Sequence, residues 1–133
     1  MEDLRIRVEV EVNPTESIDK VKAAVENIFA TLDMREESVL NKRVLVGEAE
    51  GKASLTKFCN ILRRDRIRDA ARKVFFEGMD KRTIVFCLNK QVAYTGQISF
   101  SKEVAESPLG PIKVKITCAD PRRVIDWLTA KDT

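Results

Sequence analysis

The sequence predicts an α/β chain of the α+β kind, with an antiparallel or mixed sheet of about five strands and three to four helices lying mainly on one face. Three features carry this. Leu4, Ile6, Val8, Val10 and Val12 alternate with Arg5, Arg7, Glu9 and Glu11, which gives the first strand one apolar and one charged side. Ile112, Val114, Ile116 and Cys118 repeat the pattern opposite Lys113 and Lys115. Elsewhere apolar residues recur at three- and four-residue spacing, the period of an amphipathic helix. A sheet with a single apolar face covers that face and leaves the other to water, so the helices belong together on one side. The 133 residues contain no internal repeat, low-complexity tract or Gly/Ser linker, and they read as one domain spanning 1–133.

After the first strand, Asn13-Pro14-Thr15 turns the chain, Ser17 stands at a helix start, and Ile18, Val21, Val25 and Ile28 form the first helical stripe. Residues 33–38 are polar and read as a connection. Lys42 to Glu50 is a second strand, in which Gly47 is expected to mark a bulge. Ser54 is placed to cap a helix whose stripe is Leu55, Phe58 and Leu62. Continued straight, that helix needs apolar residues where Asp65, Arg66, Asp69 and Lys73 stand, and the stripe resumes out of phase at Ile67, Ala70, Ala71 and Val74. The phase change predicts two short helices separated by a break or bend near Arg63 to Asp65, with Gly78 ending the second. Thr83 to Asn89 and Gln97 to Ser101 pair as a hairpin across a polar interruption. Ser107-Pro108-Leu109-Gly110-Pro111 is a stiff turn that launches the last strand. Asp120-Pro121 then opens a closing helix, with Val124, Trp127 and Leu128 facing inward.

Composition excludes several classes of function. There is no histidine, which removes the commonest general base and every Ser-His or Cys-His pairing. Cys59, Cys87 and Cys118 are far apart, lack a C-x-x-C spacing and sit in apolar segments, so they read as buried thiols and not as metal ligands. No apolar run approaches the ~20 residues that a bilayer demands, and the start Met1-Glu2-Asp3 is acidic. These features predict a soluble, cytoplasmic protein without membrane attachment, metal or cofactor.

The net charge of +3 is too small to steer the whole molecule toward a polyanion, but its distribution is uneven. Six cations crowd into the twelve residues from Leu62 to Lys73. Arg63, Arg64 and Arg66 have only Asp65 among them and offer guanidinium forks to phosphate oxygens. Arg68, Arg72 and Lys73 stand at helical pairing distance from Asp65 and Asp69, so a self-neutralised solvated face and a phosphate-binding face are both open for them. Lys90 and Gln91 add ammonium and amide donors beside Tyr94, whose ring either stacks on a base or faces the core.

The segments N-P-T-E (13–16), S-L-x-K-F (54–58), L-R-R-x-R-I-x-D-A-A-R (62–72), N-K-Q-x-A-x-x-G (89–96), E-S-P-L-G-P-I (106–112) and V-I-D-W-L (124–128) resemble a small archaeal family of uncharacterised function. The resemblance covers nearly all of the chain. It implies a fold similar to that of the ribosomal large-subunit protein that holds 5S RNA, and an RNA-binding role in association with the RNA-degrading exosome. The family pattern has histidine before the Lys-Gln pair where this chain has Asn89, so that position keeps a donor and an acceptor but loses a titratable group.

Three readings of function follow. The first is a non-catalytic RNA-binding accessory protein of RNA processing or degradation, whose basic helical elbow grips phosphates through Arg63, Arg64 and Arg66 with help from Lys90. The second is a protein-interaction or self-assembling module, such as a homodimer pairing through a strand edge like Leu4 to Val12. The third is a small-molecule enzyme with a pocket near Lys90 and Gln91.

Overall fold

β1 (Arg5–Val12) keeps the alternation of its sequence, with Ile6, Val8, Val10 and Val12 buried and the charged residues on the other side. The computed structural model describes residues 3–30, 32–101 and 110–130, and in it β1 lies in the interior of a six-stranded antiparallel sheet. The remaining elements are α1 (Ile18–Ile28), β2 (Asp33–Val39), β3 (Lys42–Glu50), α2 (Thr56–Arg64), α3 (Arg68–Glu77), β4 (Thr83–Asn89), α4 (Lys90–Ala93), β5 (Phe100–Ser101), β6 (Pro111–Thr117) and α5 (Pro121–Leu128). Across the sheet the order is β2-β3-β1-β6-β4-β5. The architecture is the expected one, enlarged to six strands and five helices.

The helices cover the face to which β1 and β6 turn their apolar residues. Alternate residues of β1, β4 and β6 join residues of all five helices in a single buried cluster. At its centre Phe58 stacks on Phe29 at 5.2 Å and on Phe86 at 5.7 Å, while Phe75 meets Phe86 at 4.9 Å and Phe100 at 5.7 Å. Ring contacts of this kind add to the stabilisation from area burial. The opposite face of the sheet carries ion pairs between neighbouring strands and along them: Arg7 with Glu9 and Glu48, Arg35 with Glu37 and Glu48, and Arg5 with Glu50.

Several local expectations are corrected. Residues 33–38 belong to β2, which the sequence hides because D-M-R-E-E-S-V has no apolar alternation. As an edge strand with one neighbour, β2 needs no buried face, and its charges discourage pairing with another chain. It joins β3 through Leu40 (φ 51) and Asn41 (φ 65), both left-handed, the conformation that hairpin twist favours. Gly47 marks no bulge, since the β1–β3 and β2–β3 registers run through it unbroken. An added Cβ there would approach Leu32 Cδ1 to 3.1 Å and Met34 Cγ to 3.2 Å, so the glycine makes room for side chains. Ser54 does not cap α2; it sits in a 3-10 turn (Lys52–Leu55) and its hydroxyl donates to Gly51 O at 2.6 Å. Because β1 is an interior strand, its backbone is unavailable for pairing between subunits. Within the expected stiff turn, Ser107, Pro108 and Leu109 lie outside the described residues.

Gly78 ends α3 as expected, but at φ −95 its role is steric and not conformational. Its carbonyl accepts the Val85 N–H at 2.9 Å, and an added Cβ would lie 1.8 Å from Val85 O. Gly78→Ala is therefore expected to lower stability by about 2–3 kcal/mol through forced separation of α3 from β4, measurable as a drop in the urea midpoint.

Candidate nucleic-acid interface

The change of stripe between Leu62 and Ile67 becomes a sharp elbow. α2 closes with Asp65 N–H donating to Ile61 O at 2.9 Å, Arg66 N–H to Arg63 O at 3.3 Å, and Ile67 N–H to Leu62 O at 3.1 Å. This is the bonding of a Schellman terminus, in which the penultimate residue is left-handed and usually glycine. Here that residue is Arg66, at φ 57. The break thus falls at Asp65 to Ile67, slightly beyond the expected place, and Ala70 is exposed while Ala71 and Phe75 supply the buried face of α3.

The eight residues singled out in the sequence separate into groups. Arg63, Arg64 and Arg66 project at the elbow and are exposed. Arg64 donates through Nε to Asp65 Oδ1 at 2.9 Å, and through Nη2 to Asp65 Oδ2 at 3.4 Å and Gly96 O at 3.1 Å. The hydrogen bond to Asp65, followed by its charge, raises the Arg64 pKa above the ordinary arginine value. Arg68 and Arg72 turn toward α5. Arg68 Nη1 donates to Ala130 O at 2.7 Å, and Arg72 Nη1 contacts Thr129 Oγ1 at 3.1 Å and Asp126 Oδ1 at 2.9 Å. Cations at a helix C-terminus satisfy leftover carbonyls and complement its dipole, so these two arginines hold the end of α5. Lys73 and Gln91 are exposed.

Lys90 is a correction. Far from reaching solvent, its side chain is 0% exposed, and Nζ donates to Glu11 O at 2.7 Å and Glu16 Oε1 at 3.0 Å. Glu16 also accepts from Asn13 N at 3.0 Å, Asn13 Nδ2 at 2.9 Å and, through Oε2, Tyr94 OH at 3.3 Å. Burial pushes the Glu16 carboxyl up, but the Asn13 N–H and the Lys90 ammonium outweigh it and hold the group below the ordinary glutamate range. Burial, then the Glu16 charge, pushes the Tyr94 phenol up. The pocket expected around Lys90 for a small-molecule enzyme is instead a filled ion-pair site. Asn89 caps α4 by accepting the Val92 N–H at 3.1 Å, so the polar interruption is a short helix. The N-P-T-E and N-K-Q segments, remote in sequence, meet here; the spacing of either one alone carries no sign of the other.

Beside the elbow lies a cleft of about 310 Å³. α2 lines it with Lys57, Asn60, Ile61 and Arg64, and the opposing wall is Asn27 of α1 with Thr95 and Gly96 of the turn after α4. Among the described residues no carboxylate lines it. A larger groove of about 420 Å³ on the open sheet face mixes Arg5, Arg7 and Lys115 with Asp33, Glu48 and Glu50. Those carboxylates repel phosphate within that groove, while an adjoining recess of about 210 Å³ on the same face is lined by Arg7, Lys113 and Lys115 with Glu9. Lys57 belongs to the S-L-x-K-F segment just before the basic stretch, but Asn27 and Thr95 carry no signal of their own in the sequence. All three cysteines are buried and outside any disulfide, and burial, before the nearby Asp3 and Asp120 charges, raises the Cys118 thiol. Among the described residues no cluster of His, Cys, Asp and Glu is placed to hold a metal ion, and no helix is long and apolar enough to cross a membrane.

A one-sided antiparallel sheet edged by an arginine-rich helical elbow defines an α+β protein that presents cations on its surface, and residues 5–118 match a family described as RNA binding. The chain belongs to this RNA-binding family and to the archaeal UPF0201 proteins. The UPF0201 protein of Sulfurisphaera tokodaii is 46% identical over 127 residues, covering 96% of this chain and 88% of the relative. The crystal structure of the UPF0201 protein from Methanococcus jannaschii superposes with a TM-score of 0.84 at 31% identity, covering 94% of this chain and 98% of that one. A DUF54 protein from Methanothermobacter thermautotrophicus shares the fold, with a TM-score of 0.63 at 17% identity over 93% of each chain.

Removing one member of a buried ion pair strands the other, so Lys90→Met is expected to cost about 3–5 kcal/mol in urea unfolding. Glu16 has a lowered folded pKa, so its contribution is full above the unfolded value of about 4.3 and is lost as pH falls through the folded value. The stability difference between wild type and Glu16→Gln is therefore expected to shrink as unfolding curves are moved from neutral pH to about pH 3.

Proposed function

We propose that this chain is a non-catalytic RNA-binding accessory protein of the cytoplasm, acting in RNA processing or degradation, and that the α2–α3 elbow holds the phosphate backbone through Arg63, Arg64 and Arg66. Lys73 and Gln91 extend the contact surface; Arg68 and Arg72 serve α5, and Lys90 serves the core.

The observation that carries the reading is the left-handed backbone of Arg66. Glycine adopts this conformation without strain, whereas a residue with a side chain gives up about 1–3 kcal/mol. An exposed arginine in that place turns the guanidinium outward at the corner between two helices, beside Arg63 and Arg64. Local strain at an exposed, charged corner is the pattern of a site kept for contact and not for stability. Phosphate contacts of this kind give affinity with little sequence readout.

With three to four phosphate contacts, log affinity for single-stranded RNA is expected to fall against log salt with a slope of about −2 to −3. Arg66→Gly separates function from stability. It is expected to raise stability by about 1 kcal/mol in urea unfolding. In fluorescence anisotropy it is expected to weaken RNA binding and reduce the salt slope by about 0.7. Binding that ignores salt, or that survives Arg63→Glu combined with Arg66→Gly, would rule the elbow out.

A further inference from the structure

We infer that the cleft between α2 and the turn after α4 takes one unpaired nucleotide of an RNA strand, an inference that rests on the RNA-binding reading above. Its volume of about 310 Å³ lies at the lower end of the range of small-ligand sites, about 300–1,000 Å³. The chemistry of its walls is that of a nucleotide and not of a bare phosphate.

On the α2 side stand two cations, each partly anchored. Lys57 Nζ donates to Glu26 O at 2.7 Å, which ties it to the last turn of α1 and leaves two ammonium protons for a ligand. Arg64 spends Nε and Nη2 on Asp65 and Gly96 O, which fixes the guanidinium plane and leaves Nη1 available. Anchored cations of this kind bind an anion with less ordering of their own side chains. The opposite wall offers acceptors. Asn27 Nδ2 donates to Ala93 O at 3.1 Å and Tyr94 O at 3.3 Å, so its amide is oriented with Oδ1 as the group left for a ligand. Thr95 Oγ1 donates to Val92 O at 2.7 Å, which leaves its lone pairs to accept.

A phosphate has no N–H to give these acceptors, whereas a nucleobase edge does. Asn60, exposed on α2, supplies both a donor and an acceptor, and Ile61, largely buried in the core, leaves only a small apolar patch in the wall of the cleft. The two halves of the cleft therefore match the two halves of a nucleotide, phosphate on Lys57 and Arg64, base edge on Asn27, Thr95 and Asn60. Bases in a duplex are stacked and paired, so only a nucleotide outside a helix enters such a recess. The cleft adjoins the elbow through Arg64, and a strand held by Arg63 and Arg66 passes beside its mouth. The elbow then sets general affinity, and the cleft selects unpaired RNA.

The test compares fluorescence anisotropy of an unpaired strand of about twelve nucleotides with that of the duplex formed from it. Wild type is expected to prefer the unpaired strand by about tenfold, the worth of one well-held base. Asn60→Trp fills the cleft from an exposed helical position without changing charge, and it is expected to abolish the preference while leaving duplex affinity intact. Asn60→Ala, a milder change, is expected to reduce the preference in part. The inference is overturned if wild type shows no preference, if Asn60→Trp retains it, or if free adenosine 5′-monophosphate competes as tightly as the strand. Arg63→Glu with Arg66→Gly is expected to weaken both RNAs alike. If that variant leaves both unchanged while Asn60→Trp still abolishes the preference, the elbow reading fails and the cleft stands.

Discussion

The buried pair between Lys90 and Glu16 is the interaction on which the arrangement around the candidate site depends. Lys90 Nζ joins Glu11 O at the end of β1 to Glu16 before α1, and its own backbone begins α4 directly after β4. Two chain segments more than seventy residues apart are thereby fixed to each other. With α4 held, the Ala93 and Tyr94 carbonyls receive Asn27, and the Gly96 carbonyl receives Arg64. The orientation of an exposed arginine on α2 thus traces back to a charge pair in the interior. Such a pair contributes to stability only through its full set of hydrogen bonds, because two desolvated charges by themselves gain little over apolar packing. Asn13 and Tyr94 complete that set on the glutamate.

Charge balance on the two sides of the sheet is the reason the helical side is proposed as the seat for a polyanion. On the open face each of Arg5, Arg7 and Arg35 has a glutamate partner, with Glu48 shared between Arg7 and Arg35. The Arg7 pKa is raised, first by its hydrogen bond to Glu9, which reflects a cation already satisfied by its own strand. Open-face pairs of this type contribute little to stability individually, but they spend the positive charge that would otherwise attract phosphate. At the elbow Asp65 is bound to Arg64, and the side chains of Arg63, Arg64 and Arg66 are exposed. The family is described as RNA binding, and the exposed arginines of the elbow are why the contact is proposed on the helical side.

The bend between α2 and α3 distributes the basic residues differently from a continuous helix. A straight helix from Thr56 to Glu77 would have spread its arginines around the cylinder and placed Arg66 in the ordinary helical conformation. The Schellman terminus instead packs Ile67 behind the turn and leaves Arg63, Arg64 and Arg66 at one corner, at the expense of a left-handed arginine. Arg68 and Arg72, one turn further on, are already committed to the Ala130 carbonyl just past α5, the Thr129 hydroxyl and the Asp126 carboxylate of α5. The same basic run thus supplies surface cations at its start and a structural clamp at its end.

The sequence by itself determined the features that depend on local periodicity. The strict alternation of β1 and β6, the stripe of α1, the Asp120-Pro121 start of α5 and the phase change between α2 and α3 each follow from which side of an element meets water. β2 was illegible because an exposed edge strand buries no face and so leaves no alternation, and α4 because one turn of helix is too short to show a period. The tertiary structure alone decided which charges were spent. Lys90, Arg68 and Arg72 read as cations for RNA, yet one is sealed against Glu16 and two are bound to α5. Asn27 and Thr95, silent in the sequence, face the basic helix across a cleft. The physical reason is that a charge's availability depends on partners brought from remote parts of the chain, and periodicity reports burial along one element, not the neighbour that folding delivers to it.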